Sequence, residues 1–259
     1  MIIDAHIHLS ESGRWLAPLS AKQDLSLGSV LKEMDSAGLT RAVVLSLQGF
    51  NDNMALHKML TKHFDRFIMF GCFDPESREY PREIEILAKD YGFQGLKIHP
   101  RRQGISPLDR RLDPGYEKAA ALGLPVVFDA YPQSQQMPLH ELRPYVYDRL
   151  AKRHPHLKII MAHAGAHRLW DAYFVARSNP NVYLDLSYIL KIFSRTSLMS
   201  DLAVIMEQLD RKIIYGSDFP EVSLKDYLDS AKALMAGLPK EKRENILSGN
   251  IINLLRPPG

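Results

Sequence analysis

Eight short apolar runs with amphipathic stretches between them constrain the fold of this sequence more than any other feature. They are Ile2 to Ala5, Arg41 to Leu47, Phe67 to Phe73, Phe93 to Ile98, Pro125 to Ala130, Lys158 to Ala162, Val182 to Leu186 and Lys212 to Tyr215. Most are rich in β-branched or aromatic residues, and each has the length of a strand buried on both faces, as in a parallel sheet. The stretches between them carry helix spacing. Val30, Leu31, Met34 and Ala37 share one helical face, with Gly38 placed to end it, and Leu198, Leu202, Ile205 and Leu209 repeat the pattern before the eighth run. Asp113-Pro114 and Met137-Pro138 read as helix starts, because proline at the first helical position gives up no hydrogen bond. Eight strands, each followed by a helix, make a (β/α)₈ barrel of the α/β class. At 259 residues the chain suits one such barrel, and no Ser/Gly-rich linker divides it, so residues 1–259 are assigned to a single domain. A doubly wound open sheet is the alternative, but no Gly-x-Gly-x-x-Gly turn follows the first run.

The carboxyl ends of barrel strands form the mouth where chemistry is placed. Here those ends carry polar residues: His6 and His8 at strand one, Lys97 and His99 at strand four, Asp129 at strand five, His163 at strand six and Asp218 at strand eight. His6 and His8 are two residues apart, so in a strand their imidazoles emerge on one face. Alone, such a pair is read equally well as hydrogen-bonded core histidines or as metal ligands. Five strands converging with imidazole, amine or carboxylate weigh against a purely structural account, because buried ionisable groups are costly unless paired or metal-bound.

Composition narrows the partners. The 33 basic and 30 acidic residues leave a formal charge of +3, and basic pairs such as Arg101-Arg102 are not massed, which argues against nucleic acid. The single cysteine, Cys72, excludes an intrachain disulfide. The chain enters Met1-Ile2-Ile3 without a basic, long apolar leader, and no run approaches the ~18 apolar residues of a membrane helix, so a cytoplasmic protein without membrane association is expected. A homo-oligomer is compatible with the sequence but not legible in it.

Taken jointly, Asp4-Ala-His6-Ile-His8, Gly95-Leu-Lys97-Ile-His99-Pro100, Ala162-His163-Ala-Gly165, Gly216-Ser-Asp218-Phe-Pro220 and the closing Asn245 to Leu254 segment resemble the amidohydrolase superfamily of metal-dependent TIM barrels, most closely its amidohydrolase-related (amidohydrolase 2) branch. The resemblance spans the whole length. It implies that His6, His8 and Asp218 hold a metal, with His163 as a further ligand or an acid/base group. Asp129 stands where the family usually has a histidine. It is expected either to ligate as a harder donor or to be a turn carboxylate before Tyr131-Pro132. The implied cofactor is one divalent ion, Zn²⁺ first, with Mn²⁺ or Fe²⁺ as alternatives. Lys97 is expected to be unmodified and, with His99, Arg101 and Tyr131, to contact the substrate. Trp15, Gln48 to Asn51, Arg102 and Tyr188 are further loop candidates.

The function implied is hydrolysis of a small amide, ester or lactone, with Asp218 as proton acceptor and His163 orienting or polarising the substrate. The alternatives are nonoxidative decarboxylation of a small aromatic or unsaturated acid, a metal-independent lactonase, and a degenerate barrel serving as a binding module. A nuclease is disfavoured, because similar barrels of that kind carry a glutamate where this chain has the Lys97 segment. The arginines point to an anionic small-molecule substrate.

Overall fold

In a computed structural model, described for residues 1–15 and 24–256, all eight runs form strands. These are β1 (Ile3–Ile7), β2 (Arg41–Leu45), β3 (Phe67–Gly71), β4 (Gly95–Ile98), β5 (Val126–Phe128), β6 (Ile159–Met161), β7 (Val182–Asp185) and β8 (Ile213–Ile214). They pair in parallel in chain order, as a (β/α)₈ barrel requires. A parallel bridge between Ile7 and Phe219, and hydrogen bonds from Ala5 N to Tyr215 O and from His8 N to Phe219 O, join the last strand region back to the first.

Several strands stop short of the apolar runs because side chains take over their backbone partners. Asn51 Oδ1 accepts from Leu47 N at 2.7 Å, Asn53 Oδ1 from Cys72 N at 3.1 Å and Asp185 Oδ1 from Ser187 N at 2.7 Å. Such local bonds compete with the ladder and turn the chain into its loop. Asn51 also donates to Leu9 O, so within the Gln48 to Asn51 stretch it is a loop brace.

The helix Leu27–Ala37 buries Val30, Met34 and Ala37. It ends at Gly38, whose φ of 74° is the left-handed geometry glycine adopts without strain. Helices Asp113–Ala121 and Leu198–Gln208 also stand where the sequence places them. The expected start at Met137-Pro138 does not hold: only a 3₁₀ turn, Leu139–Leu142, follows, and the α-helix begins at Pro144. A proline disfavours helical geometry in the residue before it, and Arg143 accordingly sits at ψ 148°, so no helix runs through it.

Two apolar layers result. Ile3, Ala5, Val43, Leu45, Ile68, Phe70, Val127, Ile160 and Ile214 pack inside the barrel, where Ile251 and Leu254 of the closing helix Asn250–Leu254 join them. Ile7, Ala42, Val44, Leu96 and Ile98 face the surrounding helices. In β1 the inward parity switches, since Ile3 and Ala5 face in but Ile7 faces out. The ladder between β1 and β2 has a register shift between Asp4 and Ile7. The shift delivers His6 and His8 to the interior face above the apolar plug.

Candidate metal centre

His6, His8 and Asp218 each offer a ligand atom, and these atoms lie within 4.8 Å of one another. Asp218 Oδ1 is 3.3 Å from His6 Nε2 and 3.5 Å from His8 Nε2. The other ring nitrogens are committed. His6 Nδ1 donates to Asp185 Oδ2 at 2.5 Å, and His8 Nδ1 donates to Leu45 O at 2.9 Å. Each bond fixes the proton on Nδ1 and turns an Nε2 lone pair toward the same point, which is the arrangement a metal-ligating histidine needs. Burial, reinforced by the neighbouring Lys97 charge, drives His6 well below its ordinary pKa, so its imidazole is neutral. The donor set of two imidazole nitrogens and one carboxylate oxygen therefore fits a divalent ion such as Zn²⁺ or Mn²⁺.

The backbone that holds this triangle is tightly constrained. Asp4 Oδ1 accepts from both His6 N (3.1 Å) and Ser217 N (2.9 Å), clamping the first strand to the eighth. Asp4 is fully buried, and burial pushes its carboxyl up to about 7. Gly216 lies where a Cβ would stand 2.6 Å from Asp185 Oδ1 and 2.8 Å from the His6 Cβ, so this closeness requires glycine. Asp218 follows at φ 74°, with its N–H on His6 O at 2.8 Å. Aspartate tolerates that region better than most residues, and here the strained geometry points its carboxylate back over the histidines.

Beside the triangle stands a second cluster. Asp129 Oδ1 lies 3.0 Å from His163 Nε2, while Asp129 Oδ2 accepts from Arg101 and lies 3.3 Å from His99 Nδ1. His163 Nδ1 is 3.0 Å from Ser187 O. A carbonyl on one side and a carboxylate on the other both require N–H donors, so His163 is held as an imidazolium. Burial opposes that charge, but the Asp129 bond and the Asp218 charge overcome it and raise the pKa. Burial likewise opposes the Asp129 charge, and His99, His163 and Arg101 hold its carboxyl well below the usual range. His99 itself is pushed down to about 3 by burial and is neutral. Lys97, buried in β4, places Nζ 3.5 Å from His6 Nε2, and burial lowers its pKa against the pull of Asp129 and Asp218. Tyr131 meets His163 edge-on at 5.8 Å and carries the Arg101 guanidinium over its ring.

Thus His6, His8 and Asp218 come together at one point. Asp129, His163, His99 and Arg101 form a charge-compensated wall against it, with Lys97 alongside. Triangle and wall line one cavity of about 480 Å³, within the usual size of a small-molecule site. Among the loop candidates, Trp15 stacks on the His8 ring at 5.2 Å and donates to Glu221 Oε1 at 2.5 Å. Tyr188 and Tyr131 line the adjoining opening.

Asp185 was not among the residues singled out from sequence. Its inward place at the end of β7, two residues after Tyr183, was the available signal. Burial pushes it up to about 6, so neutral pH leaves a carboxylate to hold His6 Nδ1–H. Ser187 Oγ bonds the same Asp185 oxygen at 3.1 Å and lies 3.1 Å from His163 Nδ1, linking the triangle to the wall. Replacing Asp185 with Asn is expected to weaken metal binding ~10- to 100-fold, as for other carboxylates that orient a ligating histidine. Competition against a chromophoric chelator measures it, and unchanged affinity would remove Asp185 from the centre.

The fold, the histidine pair on β1 and the aspartate after β8 together define a metal-site barrel. The amidohydrolase family model (amidohydrolase 2) matches residues 3–256, and the chain belongs to that family. No curated protein sequence matches it. Among solved structures, an uncharacterized TIM-barrel protein from Bordetella bronchiseptica superposes with a TM-score of 0.82 at 21% identity, covering 98% of both chains. A probable 2-pyrone-4,6-dicarboxylic acid hydrolase from Acinetobacter baumannii with citric acid bound follows at TM-score 0.73 and 16% identity, covering 98% of each chain. A 5-carboxyvanillate decarboxylase from Novosphingobium aromaticivorans, complexed with manganese and a nitrobenzoic acid, gives 0.76 at 15%, covering 98% of this chain and 96% of its own. At these identities the likeness establishes the fold.

Proposed function

We propose that the protein is a metal-dependent hydrolase of a small anionic ester, lactone or amide, with His6, His8 and Asp218 as the ligand set. One observation carries the reading: the two oxygens of Asp218 have different surroundings. Oδ1 faces both Nε2 atoms, whereas Oδ2 makes no hydrogen bond among the described residues. Burial disfavours the Asp218 charge, but the surrounding histidines, the His163 imidazolium among them, hold the carboxyl well below its usual range, so it is ionised at neutral pH. A divalent ion held by His6, His8 and Asp218 would supply Lewis acidity and lower the pKa of a water there. Asp218 Oδ2 takes the proton of the attacking water and returns it to the leaving group. His163 and Lys97 present positive charge to the substrate oxygens. Asp129, expected as a ligand from the sequence, is read here as the counter-ion that keeps His163 protonated and Arg101 in place.

Decarboxylation remains the second reading, because the same cationic wall receives a carboxylate and one structural neighbour is a decarboxylase complexed with manganese. The two are separated by incubating metal-loaded protein in H₂¹⁸O with lactones, esters, amides and hydroxybenzoic acids. Hydrolysis places one ¹⁸O in the product carboxylate. Release of CO₂ from an aromatic acid, with no hydrolysis of the other compounds, would replace the proposal with the second reading.

A further inference from the structure

The cavity over the triangle does not end at its wall. A second cavity of about 620 Å³ adjoins it, and Arg102 and Gln136 line both. The cations around the two cavities are not equivalent. Arg101 is neutralised by Asp129, and Arg111 in the side cavity is bound by Glu76 and Asp109. Lys97 lies buried against His6. Arg102 is different: among the described residues its only side-chain hydrogen bond is from Nε to Gln48 O at 3.3 Å, and its terminal nitrogens have no acceptor. The neighbouring Gln103 is fully used, accepting from His99 N at 2.8 Å and donating to Gln48 Oε1 at 2.6 Å. Gln103 thus braces the partition, and Arg102 is left with an open guanidinium fork at the neck.

We propose that this neck is a carboxylate subsite. Resting on the hydrolase reading above, the proposal makes the substrate an elongated one, with its reacting carbonyl at the triangle and a terminal carboxylate on the Arg102 fork. A guanidinium with both terminal nitrogens available is the geometry that pairs bidentately with a carboxylate. The side cavity is also lined by Asp74 and by the Glu76–Arg111 pair, whose charges cancel, so the uncompensated cation available to an anion is Arg102 at the neck.

The test uses protein loaded with one equivalent of Zn²⁺, with glutarate and pentanoate as probes of equal chain length, titrated calorimetrically. Wild type is expected to bind glutarate about tenfold more tightly than pentanoate, the difference one charge-assisted bidentate pair supplies. Arg102→Gln should abolish that preference without changing pentanoate affinity, and Arg102→Lys should keep part of it. Equal affinities in wild type, or an undiminished preference in Arg102→Gln, overturn the subsite. Metal content measured on the same samples separates the two ideas. A chain that holds no ion but keeps the Arg102-dependent preference retains the subsite and loses the hydrolase reading.

Discussion

Asp218→Asn is expected to lower kcat by ~10²–10⁴-fold on whichever lactone, ester or amide the wild-type protein hydrolyses, with its melting temperature nearly unchanged. The size is that of a positioned general acid/base group. The fold should survive, because asparagine shares aspartate's tolerance of the left-handed region and the backbone φ of 74° is therefore kept. One ligand oxygen is also retained, so metal content should fall less than turnover. A variant with unaltered kcat would place the proton acceptor elsewhere.

The second large effect is on the metal itself. Replacing both His6 and His8 with alanine is expected to take bound Zn²⁺ or Mn²⁺ from about one ion per chain to none, since only one of the three converging donors remains. His6→Ala also removes one of the donors to the buried Asp185 carboxylate, leaving it only Ser187, which costs stability on the order of 1–3 kcal/mol. The cleaner variant is therefore His8→Gln, which loses an imidazole ligand but can still offer an N–H toward Leu45 O. Elemental analysis of the three proteins reads the outcome. Retention of a full equivalent in the double variant would mean that the ion, if any, binds elsewhere.

The strand array was legible because parallel barrel strands are buried on both faces and read as compact apolar runs. The helix start expected at Met137-Pro138 is displaced for a local reason, the second proline at position 144, whose effect on Arg143 outweighs a helix start six residues earlier. His6 and His8 were rightly placed on one face, but the period of two does not explain why that face is the interior. The register shift beyond Asp4 decides it, and a shift of register depends on pairing with β2 rather than on the residues of β1 alone. Asp129 shows a different limit. Its position at a strand end was readable, whereas its engagement by Arg101, His99 and His163 joins three other segments of the chain. The sequence places Asp4 in the first motif and Asp185 at a strand end, but neither position says that the carboxylate orients a ligand. Only the distances to His6 N and His6 Nδ1 reveal what they hold.

No helix among the described residues is long and apolar enough to cross a membrane, and the site opens on a cavity suited to a small polar ligand. The central claim is that His6 Nε2, His8 Nε2 and Asp218 converge on one divalent ion. Crystals of Zn²⁺-loaded protein, measured at the zinc absorption edge, test it most directly. One strong anomalous peak is expected about 2.0–2.2 Å from both Nε2 atoms and from an Asp218 oxygen. A peak held instead by Asp129 and His163 with the β1 histidines uninvolved, or no peak in protein that still hydrolyses substrate in the presence of chelator, would contradict it.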